Sequence, residues 1–102
     1  MDRDQAIAAL RTLEPKLKGA GVLGVSVFGS VARGDAGPES DLDVAVRLDA
    51  GFSQGGMDYF WRLDQLRQQF SELLGCNVDV VAEPVRNERV KAEIDRDRVL
   101  AF

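Results

Sequence analysis

The sequence predicts an α/β domain in which helices alternate with the strands of a sheet, and three observations carry that reading. Apolar residues recur every three or four positions in two long stretches, valine-rich runs of seven or eight residues lie between them, and glycines mark the joints. The chain has 102 residues, enough for one compact core and too few for a second beside it, so residues 1–102 are expected to form a single domain. A hydrophobic fraction of 45% with 29% charged residues is that of a globular chain and argues against disorder or a fibrous repeat.

Ala6, Ile7, Leu10, Leu13 and Leu17 share one face of a helix over 4–18. Pro15 is its flaw and is expected to kink or shorten the last turn. Gly19, Gly21 and Gly24 spell G-x-G-x-x-G, yet they follow a helix and open a strand, the reverse of the dinucleotide-binding order. They read as a helix-to-strand turn. Residues 22–28 and 41–48 are the first two strands, and Gly29-Ser30 ends the first and starts a short helix. Residues 50–56 read as a loop. Phe60, Leu63, Leu66, Phe70 and Leu73, with Leu74 alongside, stripe a helix over 58–74 whose aromatics are expected in the core, and Gly75 caps its end. Residues 77–83 form a third strand, Asn87 caps a short helix running to 95, and "RVLAF" adds a strand or tethers the tail.

Composition excludes several chemistries. A net charge of -4 argues against general nucleic-acid binding, which needs lysine and arginine to displace counterions. A phosphate-bearing ligand must arrive with a cation or meet a locally positive spot. The chain has no histidine, so Ser-His and Cys-His catalysis are out and carboxylates remain as general bases. Cys76 is the only cysteine; it forms no internal disulfide and reads as a small buried apolar residue. No run approaches a membrane span and "MDRDQA" lacks the features of a signal peptide, so a cytoplasmic protein is expected.

Asp41 and Asp43 stand among Leu42, Val44, Ala45 and Val46, where charge is costly to bury. On a strand they share one face about 6.5 Å apart. Adjacent carboxylates repel unless one is protonated or a divalent cation sits between them, so the pair asks for a metal. Asp79, within "VDVV", can join them if the third strand lies beside the second, completing the hard oxygen set that Mg²⁺ prefers. Such clusters serve two-metal phosphoryl or nucleotidyl transfer. Gly29-Ser30 lets phosphate oxygens approach backbone N–H groups, and Arg33 adds positive charge one turn on. The glycines of "GSVARG" are spaced as in a Walker A loop, but Asp35-Ala36 stand where Lys and Ser/Thr are needed, so a P-loop is rejected. Taken singly, a glycine-serine pair is common before loops and an acid pair is often a solvated strand edge. Their ordered combination is what points to chemistry.

Gly29-Ser30, ten residues, then Asp41-Leu42-Asp43 resembles the signature of the DNA polymerase beta-like nucleotidyltransferase superfamily. With Arg33-Gly34, Ser40 and Asp79 added, the chain is similar to the minimal nucleotidyltransferase group over about residues 5–82, the last twenty positions contributing little. The resemblance implies the nucleotidyltransferase fold, a small mixed sheet of three or four strands flanked by helices, in the α/β (α+β) class. It implies that Gly29 and Ser30 hold nucleotide phosphates, that Asp41 and Asp43 hold Mg²⁺, and that Asp79 completes the metal site and helps deprotonate the acceptor hydroxyl. It places Arg33 beside the nucleotide, in a role that differs among relatives. The reaction implied is AMP transfer from ATP with release of pyrophosphate, at a site holding two Mg²⁺ ions.

Larger members carry acceptor-binding domains for which this chain has no room, so the acceptor is expected to come from elsewhere. Minimal members are typically antitoxins paired with a HEPN-domain toxin, a ribonuclease, and the resemblance implies AMP transfer onto a tyrosine of that partner. No direct nucleic-acid or membrane partner is expected, and homo- and hetero-oligomers both stay open. Two alternatives stand beside this reading. One is a noncatalytic antitoxin that covers its partner, with Trp61, Tyr59 or Phe102 as contact surface; the other is a small-molecule nucleotidyltransferase of the aminoglycoside type.

Overall fold

The computed structural model describes residues 2–37, 40–54 and 56–102. Met1, Pro38, Glu39 and Gly55 lie outside the described residues, so the loop before Asp41 and the one expected at 50–56 are each described in part.

The expected first helix is two. Helix α1 (Arg3–Arg11) opens on a capping box, with Gln5 N–H donating to Asp2 Oδ1 at 2.8 Å and the Gln5 side chain returning to the Asp2 backbone. It stops where Thr12 Oγ1 donates to the Ala9 carbonyl at 2.6 Å, and α2 (Glu14–Gly19) restarts with Pro15 in its first turn. Proline inside a continuous helix would clash with the Arg11 carbonyl, whereas in a first turn its missing N–H costs nothing. The break therefore falls before Pro15, rather than as a kink after it.

Strand β1 (Val22–Phe28) runs into α3 (Gly29–Arg33), and β2 (Leu42–Leu48) leads to α4 (Ala50–Ser53). A loop was expected at the latter. Asp49 Oδ1 instead accepts from Phe52 N–H at 2.8 Å, and burial of the Phe52 ring holds one helical turn there. Helix α5 (Met57–Leu74) ends on Gly75 in the left-handed region at φ 68°, as expected. Strand β3 (Val78–Glu83), α6 (Glu88–Asp97) and β4 (Val99–Leu100) follow, with the Asn87 side chain accepting from Arg89 and Val90 N–H at the start of α6.

The aromatic stripe of α5 is rotated by one residue from the expected one. Phe60 is 63% exposed and Leu73 is 42% exposed, while Leu66, Phe70 and Leu74 are buried. Tyr59 sets the rotation: its ring packs edge-on against Phe52 of α4, and Arg62 donates to the carbonyls of Phe52 and Gln54. Positions 59, 63, 66, 70 and 74 obey the same spacing as 60, 63, 66, 70 and 73, so periodicity alone does not separate them. Cys76 is half-buried against the core, short of the full burial expected.

The described residues form a four-stranded mixed sheet in the order β3-β2-β1-β4, the α/β class and strand number expected. β1 is antiparallel to β2 and β4, and β2 is parallel to β3. Its two faces differ. One carries Val25, Val27, Leu42, Val44, Val46 and Val78 into the main core beneath α1, α2 and α5. The other carries Phe28, Ala45 and Val81 against Ile94 and Val90 of α6, a thinner layer. Alternation along β2 and β3 puts Asp43 and Asp79 on this second face. The acids thus avoid the main core, which lessens the cost that their apolar neighbours raise, though half-buried Asp43 still bears part of it.

Phe70 is fully buried in the main core. Phe70→Ala is expected to cost about 3–5 kcal/mol, through lost transfer energy and the cavity left behind. Against a total stability of roughly 5–15 kcal/mol this lowers the thermal midpoint by more than about 10 °C, which calorimetry reads directly.

Candidate active site

The parallel register of β2 and β3 pairs Asp43 with Asp79, flanked by Leu42 with Val78 and Val44 with Val80. Neighbouring strands lie about 4.8 Å apart, so the two acids stand side by side. Asp41 lies one residue before β2 and is exposed, as is Asp79; Asp43 is half-buried. Leu42 N–H donates to the Asn77 carbonyl at 3.0 Å, which continues the pairing toward Asp41. β3 is an edge strand, so Asp79 is more open than a fully buried valine run suggests.

Asp43 is the electrostatic centre. Burial, then the charges of Asp79, Glu93 and Asp41, push its carboxyl up to about 6, with Arg33 pulling in the other direction. Glu93, on α6, is the acid that sequence reasoning missed. Its place on a capped helix was legible, but only the packing of α6 across the sheet brings its charge within reach of Asp43. Among the described residues no three acidic side chains are already gathered as a metal group. The fold places their backbones along one edge and leaves a crowded negative field, with hard carboxylate oxygens as the donors that Mg²⁺ takes.

Gly29 adjoins this edge. Phe28 is paired with Asp43, and Gly29 leaves the strand at φ +74°. A Cβ there would overlap Asp43 Oδ2 and stand 3.2 Å from its Cγ, so glycine lets the carboxylate lie against the backbone. Ser30 follows in the first turn of α3, half-buried. The helix closes on Gly34, with Asp35 N–H donating to the Ser30 carbonyl at 2.9 Å. Arg33, expected near phosphate, donates from Nε to Asp35 Oδ2 at 3.0 Å and from Nη1 to Asp97 Oδ2 at 2.7 Å.

An open groove of about 770 Å³ lies at the start of β2 and β3, lined by Ser40, Asp41, Ser71, Glu72, Gly75, Cys76 and Asn77. Of the three predicted acids it touches Asp41. Its charged lining is acidic, so it does not suit a bare triphosphate. Among the described residues no helix is long and apolar enough to cross a membrane.

The chain belongs to the nucleotidyltransferase domain family, whose model matches residues 4–100 and so takes in the glycine turn and the paired acids. The match extends through α6, beyond the expected span of 5–82. The relative "Putative protein adenylyltransferase MJ1379" of Methanocaldococcus jannaschii is 30% identical over 79 residues, covering 76% of this chain and 75% of the relative. A solved structure described as "putative minimal nucleotidyltransferase" is 32% identical with a TM-score of 0.66, over 97% of this chain and 95% of that one. The same fold occurs, at 16% identity and a TM-score of 0.56 over 90% of this chain and 71% of that one, in the structure of a tri-AMPylated Shewanella oneidensis HEPN toxin in complex with MNT antitoxin.

Proposed function

We propose that this chain moves AMP from Mg²⁺-bound ATP onto a hydroxyl of a partner protein, a tyrosine of a HEPN-domain toxin, and acts as its antitoxin. The observation that carries the reading is the pairing of Asp43 with Asp79 beside the Gly29 turn. The adenylyltransferase name of a relative and the AMPylated toxin in the neighbouring structure support the reaction and the kind of partner.

Asp41, Asp43 and Asp79 would hold the Mg²⁺ ions, which neutralise charge on the phosphates and favour loss of a proton from the attacking oxygen. Gly29 and Ser30 would seat the triphosphate tail, since glycine leaves backbone N–H groups open to phosphate oxygens. Asp79, exposed at the edge, would take the acceptor proton. The acceptor oxygen bonds to the α-phosphorus as the bond to the bridging oxygen breaks, and pyrophosphate leaves.

The test incubates the protein with α-labelled ATP, Mg²⁺ and the product of the neighbouring gene. Label on a tyrosine of that partner is expected. Label on an added aminoglycoside would establish the small-molecule alternative instead. A second reading, silencing by coverage alone, draws on Met57, Phe60 and Trp61, which are 82%, 63% and 64% exposed on the first turns of α5. Under it, Asp43→Asn would protect the partner as well as the wild type does, with no label transferred.

A further inference from the structure

We infer that Asp97 is a positioning residue that holds the Arg33 guanidinium at the lip of the site for the phosphates of the bound nucleotide, an inference that rests on the nucleotidyl transfer proposed above. Arg33 stands in the last turn of α3, one turn beyond Gly29, and its side chain is 35% exposed. Its two acidic partners are unlike each other. The Asp35 side chain is 67% exposed, and an ion pair of that kind contributes little, so a phosphate oxygen can take its place. The Asp97 side chain is 3% exposed and reaches Arg33 from α6, 64 residues away in sequence.

Asp97 is itself held by a fork from Arg96, whose Nε donates to Oδ1 at 2.9 Å and whose Nη2 donates to Oδ2 at 3.0 Å. These hydrogen bonds, that of Arg96 foremost, hold its carboxyl down to about 2, so it is ionised throughout the neutral range. One buried carboxylate thus anchors two guanidiniums. Among the described residues only two of the five N–H donors of Arg33 are engaged, by Asp35 and Asp97, leaving the others to meet an anion. Arg33 stands on the short helix that begins at Gly29, whose backbone lies against the Asp43 carboxylate, so the anchored guanidinium brings positive charge to the acid edge in a chain of net charge -4. Without Asp97 the arginine would be tied only to an exposed surface acid, and ordering it on each binding event would cost side-chain entropy.

If Asp97 merely staples α6 to α3, its loss lowers stability and leaves nucleotide affinity alone. Calorimetric titration with Mg²⁺ and AMP-PNP separates the two roles. Asp97→Asn and Arg33→Gln are each expected to weaken binding about tenfold, and the double variant to weaken it no further, because each removes the same held guanidinium. Asp35→Asn, which takes away the exposed partner of Arg33, should not weaken binding. Asp97→Glu covers the case in which Asp97→Asn does not fold: one added methylene misplaces the guanidinium and should weaken binding several-fold. Wild-type affinity in the Asp97 variants, or losses that multiply to about a hundredfold in the double variant, would overturn the positioning role alone. Failure of the wild type to bind AMP-PNP at all would overturn the functional reading and the positioning role with it.

Discussion

Asp43→Asn is expected to abolish nucleotidyl transfer and, in the absence of metal, to make the protein more stable at neutral pH. The loss of activity follows from removing a proposed Mg²⁺ ligand, worth several kcal/mol of charge stabilisation, a fall of about a thousandfold or more. The gain in stability follows from the raised carboxyl. Its folded value of about 6 lies above its ordinary 3.8, so the folded protein binds the proton more tightly than the unfolded chain does. Wild-type stability from this group is therefore fully present below about pH 4, declines between pH 4 and 6, and is lost above. A shift of about two units sets a ceiling near 3 kcal/mol, and partial solvation of the half-buried group reduces it to about 1–2 kcal/mol.

Thermal melts across this range check the sign. The variant should melt several degrees above the wild type at pH 7, and the two should converge near pH 4. Added Mg²⁺ should raise the wild-type midpoint and leave the variant nearly unmoved. A variant that transfers at the wild-type rate, or that melts lower at pH 7, would contradict the assignment of Asp43 as a crowded metal ligand.

Gly29→Ala carries the second large effect. The left-handed φ of +74° costs an L-residue roughly 1–2 kcal/mol, and the new methyl must displace the Asp43 carboxylate. Together these are expected to cost about 2–4 kcal/mol and to remove activity, because Asp43 is driven from the acid edge. Gly34→Ala is the internal control. Gly34 has φ +81°, and among the described residues no atom beyond its chain neighbours lies within 4 Å of its added Cβ, so that variant has the backbone cost alone. Urea midpoints of the two should differ by about 1–2 kcal/mol, the cost of the overpacked contact. Equal midpoints would mean that the carboxylate moves aside freely, and the close approach of Gly29 to Asp43 would have no energetic content.

The strands and the acids were legible because their signals are local. Val22–Phe28 needed only a valine-rich run ended by glycine, and Asp41 and Asp43 stood out as charge in an apolar segment. Helix ends were read from caps, as at Gly75 and Asn87. The misses have two causes. Pro15 divided a helix that side-chain spacing treats as continuous, through the local clash of its own ring with the preceding turn. Phe52 drew a glycine-rich loop into a helical turn and Tyr59 rotated α5 so that Phe60 faces outward, and in both a contact with another element chose between conformations of nearly equal local preference.

By itself the sequence determined which segments form strands, which residues bring charge, and that a glycine ends the first strand. Those choices depend on side-chain type and on periods of two or three to four residues. The tertiary structure alone decided that β3 runs parallel to β2 so that Asp79 meets Asp43, that α6 covers the acid face and adds Glu93, and that Arg33 is anchored on Asp97. Strand register and helix docking are set by burying two unequal sheet faces at once, and that balance belongs to the whole chain rather than to any window of it.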